Sequence, residues 1–170
     1  MPRSFDMSAD YDGTVEQVHR AFADEQYWLD RLADSGADDA TLDSLDHGAD
    51  GRIAVSTTQV LRRDRLPGIV TQFHKGDLRI GRREIWTPVD GDRATGQVTG
   101  DISGAPVTLG GDAALTPGGA GTGALLIFHG TVEVRVPLVG GKIESFISSQ
   151  LVDLLIAEQR FTARWLTENP

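Results

Sequence analysis

The stretch from Lys142 to about Glu168, KIESFISSQLVDLLIAEQRFTARWLTE, constrains this chain most. Its large apolar residues, Ile143, Phe146, Ile147, Leu151, Leu154, Leu155, Phe161, Trp165 and Leu166, fall mostly in steps of three and four, which is helical spacing. Gly140 and Gly141 are expected to break whatever precedes it, no proline or glycine interrupts it, and Pro170 closes the sequence. Such a helix runs roughly 38 Å at about 1.5 Å per residue. Alone in water it would not hold, because only tertiary burial offsets the cost of nucleating and ordering the backbone. It needs a broad surface to lie against.

The rest of the chain supplies a sheet. Residues Arg3 to Tyr11 alternate, with Phe5, Met7, Ala9 and Tyr11 on one face and Ser4, Asp6, Ser8 and Asp10 on the other. Asp12 and Gly13 turn the chain, and Thr14 with Gln17 forms a capping box for a short helix through Val15, Val18, Ala21 and Phe22. A second short helix follows from Asp24 to Leu32, ending near Ser35 and Gly36. From Asp38 the period drops to two. Strands are expected around Leu42 and Leu45, then over Ile53–Leu61, Leu78–Thr87, Ala94–Ile102, Val107–Leu115 and Ala124–Val136. Leu66, Pro67 and Gly68 break the run, and Ile69 to Lys75 reads as a loop or a turn of helix. Asp90, Gly91 and Asp92 make one hairpin turn and the glycine-rich 117–123 another. The fold class is therefore α+β: a seven-stranded curved antiparallel sheet gripping the long C-terminal helix, with two short helices between strands 1 and 2.

A chain of 170 residues forms one domain, 1–170, with no linker or repeat in it. A formal charge of −9 and a pI near 4.8 argue against nucleic acid, which demands a clustered basic face. The nearest approach to one is Arg62, Arg63 and Arg65, with Arg82 and Arg83 later. The absence of cysteine excludes disulfides and thiolate chemistry. The N-terminus carries no signal-peptide run, and no stretch reaches the roughly 18 apolar residues of a membrane span. The expectation is a cytoplasmic protein without stable membrane insertion.

Residue size on the inward face adds a hint of a cavity. Ala94, Gly96, Val98, Gly100 and Ile102 lie beside Val107, Leu109, Gly111, Ala113 and Leu115, so small side chains alternate with medium ones on adjacent strands. Glycine in a strand marks a bend, a bulge or a close approach. Either the sheet curves around a solid core, or its curvature leaves a hollow for a ligand.

Together these elements resemble the START-like helix-grip superfamily, which includes birch-pollen-type allergens, lipid-transfer domains and polyketide cyclases. Within it the chain is similar to a family of uncharacterised actinobacterial proteins. Leu66-Pro67 followed by Phe73 and Leu78, then Glu84, Ile85 and Trp86, then Gly100, Ile102, Gly104 and Pro106, and finally Val139 to Glu144 carry that closer likeness. The resemblance implies a cavity between sheet and helix that holds an apolar molecule. It implies no catalytic residue set.

Motifs for chemistry are missing. There is no H-E-x-x-H and no G-x-S-x-G, and His19, His47, His74 and His129 stand far apart and read as surface residues. Gly140-Gly141-Lys142 fails as a phosphate loop, because Val136 occupies the position of the first glycine and Ile143 that of the hydroxyl residue. Gly119, Gly121 and Gly123 read as a hairpin turn. Metal and cofactor have no support. Charge on the inward face is the exception: parity places Arg82 and Glu84 with Leu78, Ile80 and Trp86. Buried, they must pair or meet a polar ligand group; a bulge would instead turn them outward. Gln150, between Ile147 and Leu154, either reaches a ligand or sits at the margin of the stripe.

The expected function is binding, with possible roles in transport or sequestration, of a lipid, sterol, polyketide or similar apolar small molecule. Phe73, Ile80, Trp86 and Val98 would line the site with Leu109, Phe128, Phe146, Gln150 and Leu154, and Arg82 and Glu84 would supply its polar groups. Leu66 to Phe73 would form a mobile rim. Two alternatives stand beside this: a cyclase or aromatase using Arg82, Glu84 or His74 as acid or base, and an interaction module with a solid core.

Overall fold

The computed structural model describes residues 2–72, 74–118 and 123–170. Strand β1 (Arg3–Tyr11) leads through α1 (Val15–Phe22) and α2 (Glu25–Ala33) to β2 (Asp39–His47) and β3 (Ile53–Leu61). A turn of 3-10 helix (Arg63–Arg65) and the one-turn helix α3 (Gly68–Thr71) precede β4 (Leu78–Trp86), β5 (Ala94–Ile102), β6 (Val107–Pro117) and β7 (Ala124–Val134). The chain ends in α4 (Gly140–Glu168). All seven strands form one antiparallel sheet in the order β1-β7-β6-β5-β4-β3-β2. Every pairing from β2 to β7 joins sequence neighbours, as hairpin connectivity requires, and β1 closes onto the last strand. Gly119 and Gly121 of the expected glycine-rich turn lie outside the described residues; at its edge Gly118 N donates to Gly123 O at 2.8 Å.

Local chemistry sets the element ends. Thr14 Oγ1 accepts from Gln17 N at 3.2 Å and Gln17 Oε1 from Thr14 N at 2.7 Å, which is the reciprocal capping box. Asp24 caps α2 by accepting from Gln26 N at 2.8 Å. The segment 69–75 resolves in favour of a helical turn at its start. The strand before the glycine pair has ended at Val134, and Gly140 and Gly141 themselves form the first turn of α4, two residues ahead of the expected start at Lys142. A Cβ on Gly140 would lie 2.7 Å from Val134 O, so the glycine lets the helix begin directly against the end of β7.

Two apolar clusters hold α4 on the sheet. One gathers Val18, Phe22, Tyr27, Trp28, Trp86, Leu115 and Phe161, with Trp165 packed against it. The other gathers Val70, Leu78, Ile102, Val107, Val132, Val134 and Ile143. The fully buried residues of α4 therefore sit towards its ends, at Ile143, Glu144 and Ser148 and at Phe161 and Thr162. Between them Leu151, Leu154 and Leu155 are only half-buried. The middle of the helix spans a gap in the core.

Candidate functional site

Strand parity delivers the polar groups of that gap. Ile80, Arg82, Glu84 and Trp86 share the inward face of β4, without a bulge, since the pairing with β3 and β5 runs in unbroken register. On α4, Leu154, Glu158 and Thr162 follow at steps of four, so Glu158 faces the sheet as its apolar neighbours do. On α2, Arg31 stands one turn after Tyr27 and Trp28 on the buried face. Three walls thus bring Arg31, Arg82, Glu84 and Glu158 together, with side chains only 9%, 16%, 6% and 11% exposed.

The four charges balance. Arg82 grips Glu158 as a fork, Nη1 to Oε2 at 2.8 Å and Nη2 to Oε1 at 3.0 Å. Arg31 Nη2 pairs with the same Glu158 carboxylate and stands 3.7 Å from Glu84 Oε2. Arg31 also stacks over Trp28, its guanidinium carbon 4.5 Å from the ring centre. Trp86 Nε1 donates to Glu84 Oε1 at 3.2 Å. Arg31 Nη1 donates to the Tyr27 hydroxyl at 3.3 Å, and Thr162 Oγ1 donates to Glu158 O at 2.8 Å. Thr162 has one proton to give, so the 2.7 Å contact between it and Tyr27 is a bond that the phenol donates.

Two polar atoms are left over. Arg82 Nε and Glu84 Oε2 are buried with no hydrogen-bond partner among the described residues. Glu84 Oε2 does lie 2.8 Å from Arg82 Nη2, but the contact is electrostatic without the alignment of a hydrogen bond. Burial on its own would raise the Glu158 carboxyl; Arg31 and Arg82 outweigh it and hold the group down to about 2. Burial raises Tyr27, against the pull of Arg31 and Thr162, and raises Tyr11, helped by Tyr27 beside it. Arg31 and Arg82 would be lowered by burial, but Glu158 above all keeps both firmly charged.

This cluster separates two hollows. The first, of about 50 Å³, is lined by Tyr11, Phe22, Tyr27, Trp86 and the four charged residues among others. The second, of about 80 Å³, is almost wholly apolar, with Phe5, Ile80, Leu109, Leu151 and Leu154 around it and Gln59 at one side. Arg82, Val98, Phe128 and Leu155 border both. Neither is the roomy cavity that small inward residues would allow, because large rings occupy the space they leave. A Cβ on Gly96 would lie 2.8 Å from the Trp86 indole, and one on Gly111 would strike the Phe128 ring.

Ile80, Arg82, Glu84, Trp86, Val98, Leu109, Phe128 and Leu154 are thus brought to the two hollows. Phe146 is not; it packs half-buried against the cluster around Ile143. Gln150 is exposed and lines neither hollow, so it lies at the margin of the stripe. Phe73 lies outside the described residues. Val70, from the expected rim, is buried with Leu78 and Ile102. His74 bonds the Asp77 carbonyl at 3.0 Å and borders neither hollow. Sequence reasoning missed Arg31 and Glu158. Both carry the same signal, a charge at the i+4 position of an apolar helical stripe.

Among the described residues no group of three His, Cys, Asp or Glu side chains is placed to hold a metal ion, and no helix is long and apolar enough to cross a membrane.

Comparison with known proteins agrees with this architecture. An uncharacterised protein of Mycobacterium tuberculosis and one of Mycobacterium bovis are each 50% identical over 173 residues, covering 99% of both chains. Among solved structures, a Thermus thermophilus protein superposes with a TM-score of 0.64 at 12% identity, covering 98% of each chain. Norcoclaurine synthase from Thalictrum flavum gives 0.59 at 12% identity, with 99% of this chain and 88% of that one covered. A START superfamily protein from Mycobacterium smegmatis gives 0.55 at 12%, covering 95% and 97%. At such identities these likenesses establish the START-like helix-grip fold alone. Residues 6–166 match the family described as "Protein of unknown function (DUF2505)", and with that span matched the chain belongs to this family.

Proposed function

We propose that this protein binds an apolar or amphipathic small molecule in the space between the sheet and the middle of α4. The observation that carries the reading is the pair of hollows flanking a buried charge cluster in which Arg82 Nε and Glu84 Oε2 make no hydrogen bond among the described residues. Buried polar atoms of a folded protein are nearly always satisfied, so two orphans beside open volume mark where a ligand atom or an ordered water fits. The fold supports it in a general way, since START superfamily proteins and norcoclaurine synthase share it. Within the cluster, Glu158 is held ionised by two arginines and both phenols are pushed up, which suits holding a ligand better than moving protons.

The test is native mass spectrometry of gently purified protein together with a thermal-shift screen of apolar compounds. A co-purifying small molecule, or a rise in Tm that grows with ligand concentration, is expected. No added mass and no shift with any compound would overturn the reading.

A further inference from the structure

As they stand, the hollows are too small for a metabolite. Each, at about 50 and 80 Å³, is below the roughly 150 Å³ that accepts a benzene ring. A larger guest must merge them, and what stands between them is Arg82, Val98, Phe128 and Leu155. Of these only Arg82 is tied across the gap, by its fork to Glu158 on the opposite wall. Opening therefore means parting Arg82 from Glu158. The helix is built to yield there, for its buried anchors lie at Ile143 to Ser148 and at Phe161 and Thr162, on either side of the half-buried middle.

Parting that pair upsets the charge balance. With Glu158 withdrawn towards solvent, Arg31 and Arg82 face Glu84 alone, and the socket carries a net charge of about +1. An uncompensated buried charge is among the costliest states a protein interior can hold. A neutral guest leaves that cost in place, and a cationic one adds to it. A guest bearing one carboxylate removes it, because the planar guanidinium that now grips Glu158 in a fork presents the same two donors to any other carboxylate. The apolar second hollow, walled by Ile80, Leu109, Leu151 and Leu154, receives the hydrocarbon part.

We infer that the ligand is a monoanionic amphiphile, an aliphatic or aromatic carboxylic acid whose carboxylate replaces the Glu158 side chain on Arg31 and Arg82. The inference rests on the hollow being a ligand site.

The experiment titrates the full chain with octanoate, 1-octanol and octylamine near neutral pH, following heat and tryptophan emission, since Trp86 lines the first hollow. Octanoate is expected to bind at least about tenfold tighter than octanol, with octylamine weakest. In E158Q, which keeps the side-chain shape and frees both arginines, octanoate should tighten by about tenfold more than octanol does. Octanol binding as well as octanoate would overturn the anion inference and leave the cavity reading intact. Failure of octanoate to bind the wild-type chain would overturn the anion inference, and failure of all three together with no co-purifying small molecule would overturn both. The wild-type comparison needs no variant, so a misfolded E158Q would not protect the idea.

Discussion

Arg82 of β4 and Glu158 of α4, 76 positions apart, meet through two parallel hydrogen bonds of 2.8 and 3.0 Å across the gap in the core. Arg31 closes on the same carboxylate from α2, so one glutamate answers two buried cations. Such an arrangement is costly to break from one side and cheap to replace as a whole. Glu158→Ala leaves both arginines with Glu84 alone, one positive charge in excess, and should lower the unfolding free energy by about 3–5 kcal/mol. The double change Arg82→Met with Glu158→Met, which swaps the pair for packing side chains, should cost clearly less than Glu158→Ala alone. Urea titrations of the three proteins decide it.

The same carboxylate makes stability depend on pH in the acid range. Its ordinary value of 4.5 falls to about 2 in the folded chain. Through the window between those values the unfolded chain takes up a proton that the folded chain refuses, so stability rises with pH there and falls as acid is added. The contribution is fully present above about pH 4.5 and lost by about pH 2. Unfolding free energies of the wild type and Glu158→Gln, measured across this range, should converge as the pH drops. A difference independent of pH would contradict the placement of Glu158 between the arginines.

How much of this was legible in the sequence depends on the range of the interaction. The strands declared themselves because alternation is a local signal, and Thr14 with Gln17 announced α1 for the same reason. Parity puts Arg82 and Glu84 on the inward face but leaves open a bulge that would turn them outward, and only the unbroken register with β3 and β5 decides it. Their partners were harder, since Glu158 and Arg31 come from helices distant in sequence, and only their positions on apolar stripes distinguish them from surface charges. The apolar stripe of α4 reads in the sequence as one continuous face, which puts Phe146 and Gln150 at the site with Leu154. The helix in fact passes from one core cluster to the other, and only its middle and the turn after it face the hollows. The size of the hollows was illegible: glycines at 96 and 111 look like empty space until the Trp86 and Phe128 rings are seen to fill it.

Leu138 tests a different kind of strain. It lies between β7 and α4 with φ of 69°, the left-handed region, and its side chain is fully exposed. A leucine there loses about 1–2 kcal/mol to steric crowding and gains nothing from burial. Leu138→Gly should remove most of that strain, set against some added freedom in the unfolded chain. The expected result is a stability gain of up to about 1 kcal/mol in denaturant titration; a loss would mean that Leu138 makes contacts in solution.

Gly140 and Gly141, adjacent in the first turn of α4, should respond to alanine with opposite signs. At Gly140 the new Cβ would meet Val134 O at 2.7 Å, and the strand end cannot give way because Val134 N donates to the buried Glu144 carboxylate at 2.8 Å. Overpacking of this kind costs about 1–3 kcal/mol. At Gly141 a Cβ meets nothing within 4 Å, and alanine replaces the more flexible residue in a helix, a gain of up to about 1 kcal/mol. Gly140→Ala should therefore unfold at lower urea than the wild type and Gly141→Ala at equal or higher urea, with unchanged slopes. Because α4 starts at this contact, Gly140→Ala should also weaken protection of the amides from Ile143 to Ser148 against hydrogen exchange, while Gly141→Ala leaves it intact. Equal effects at the two positions would show that the helix does not begin against the end of β7.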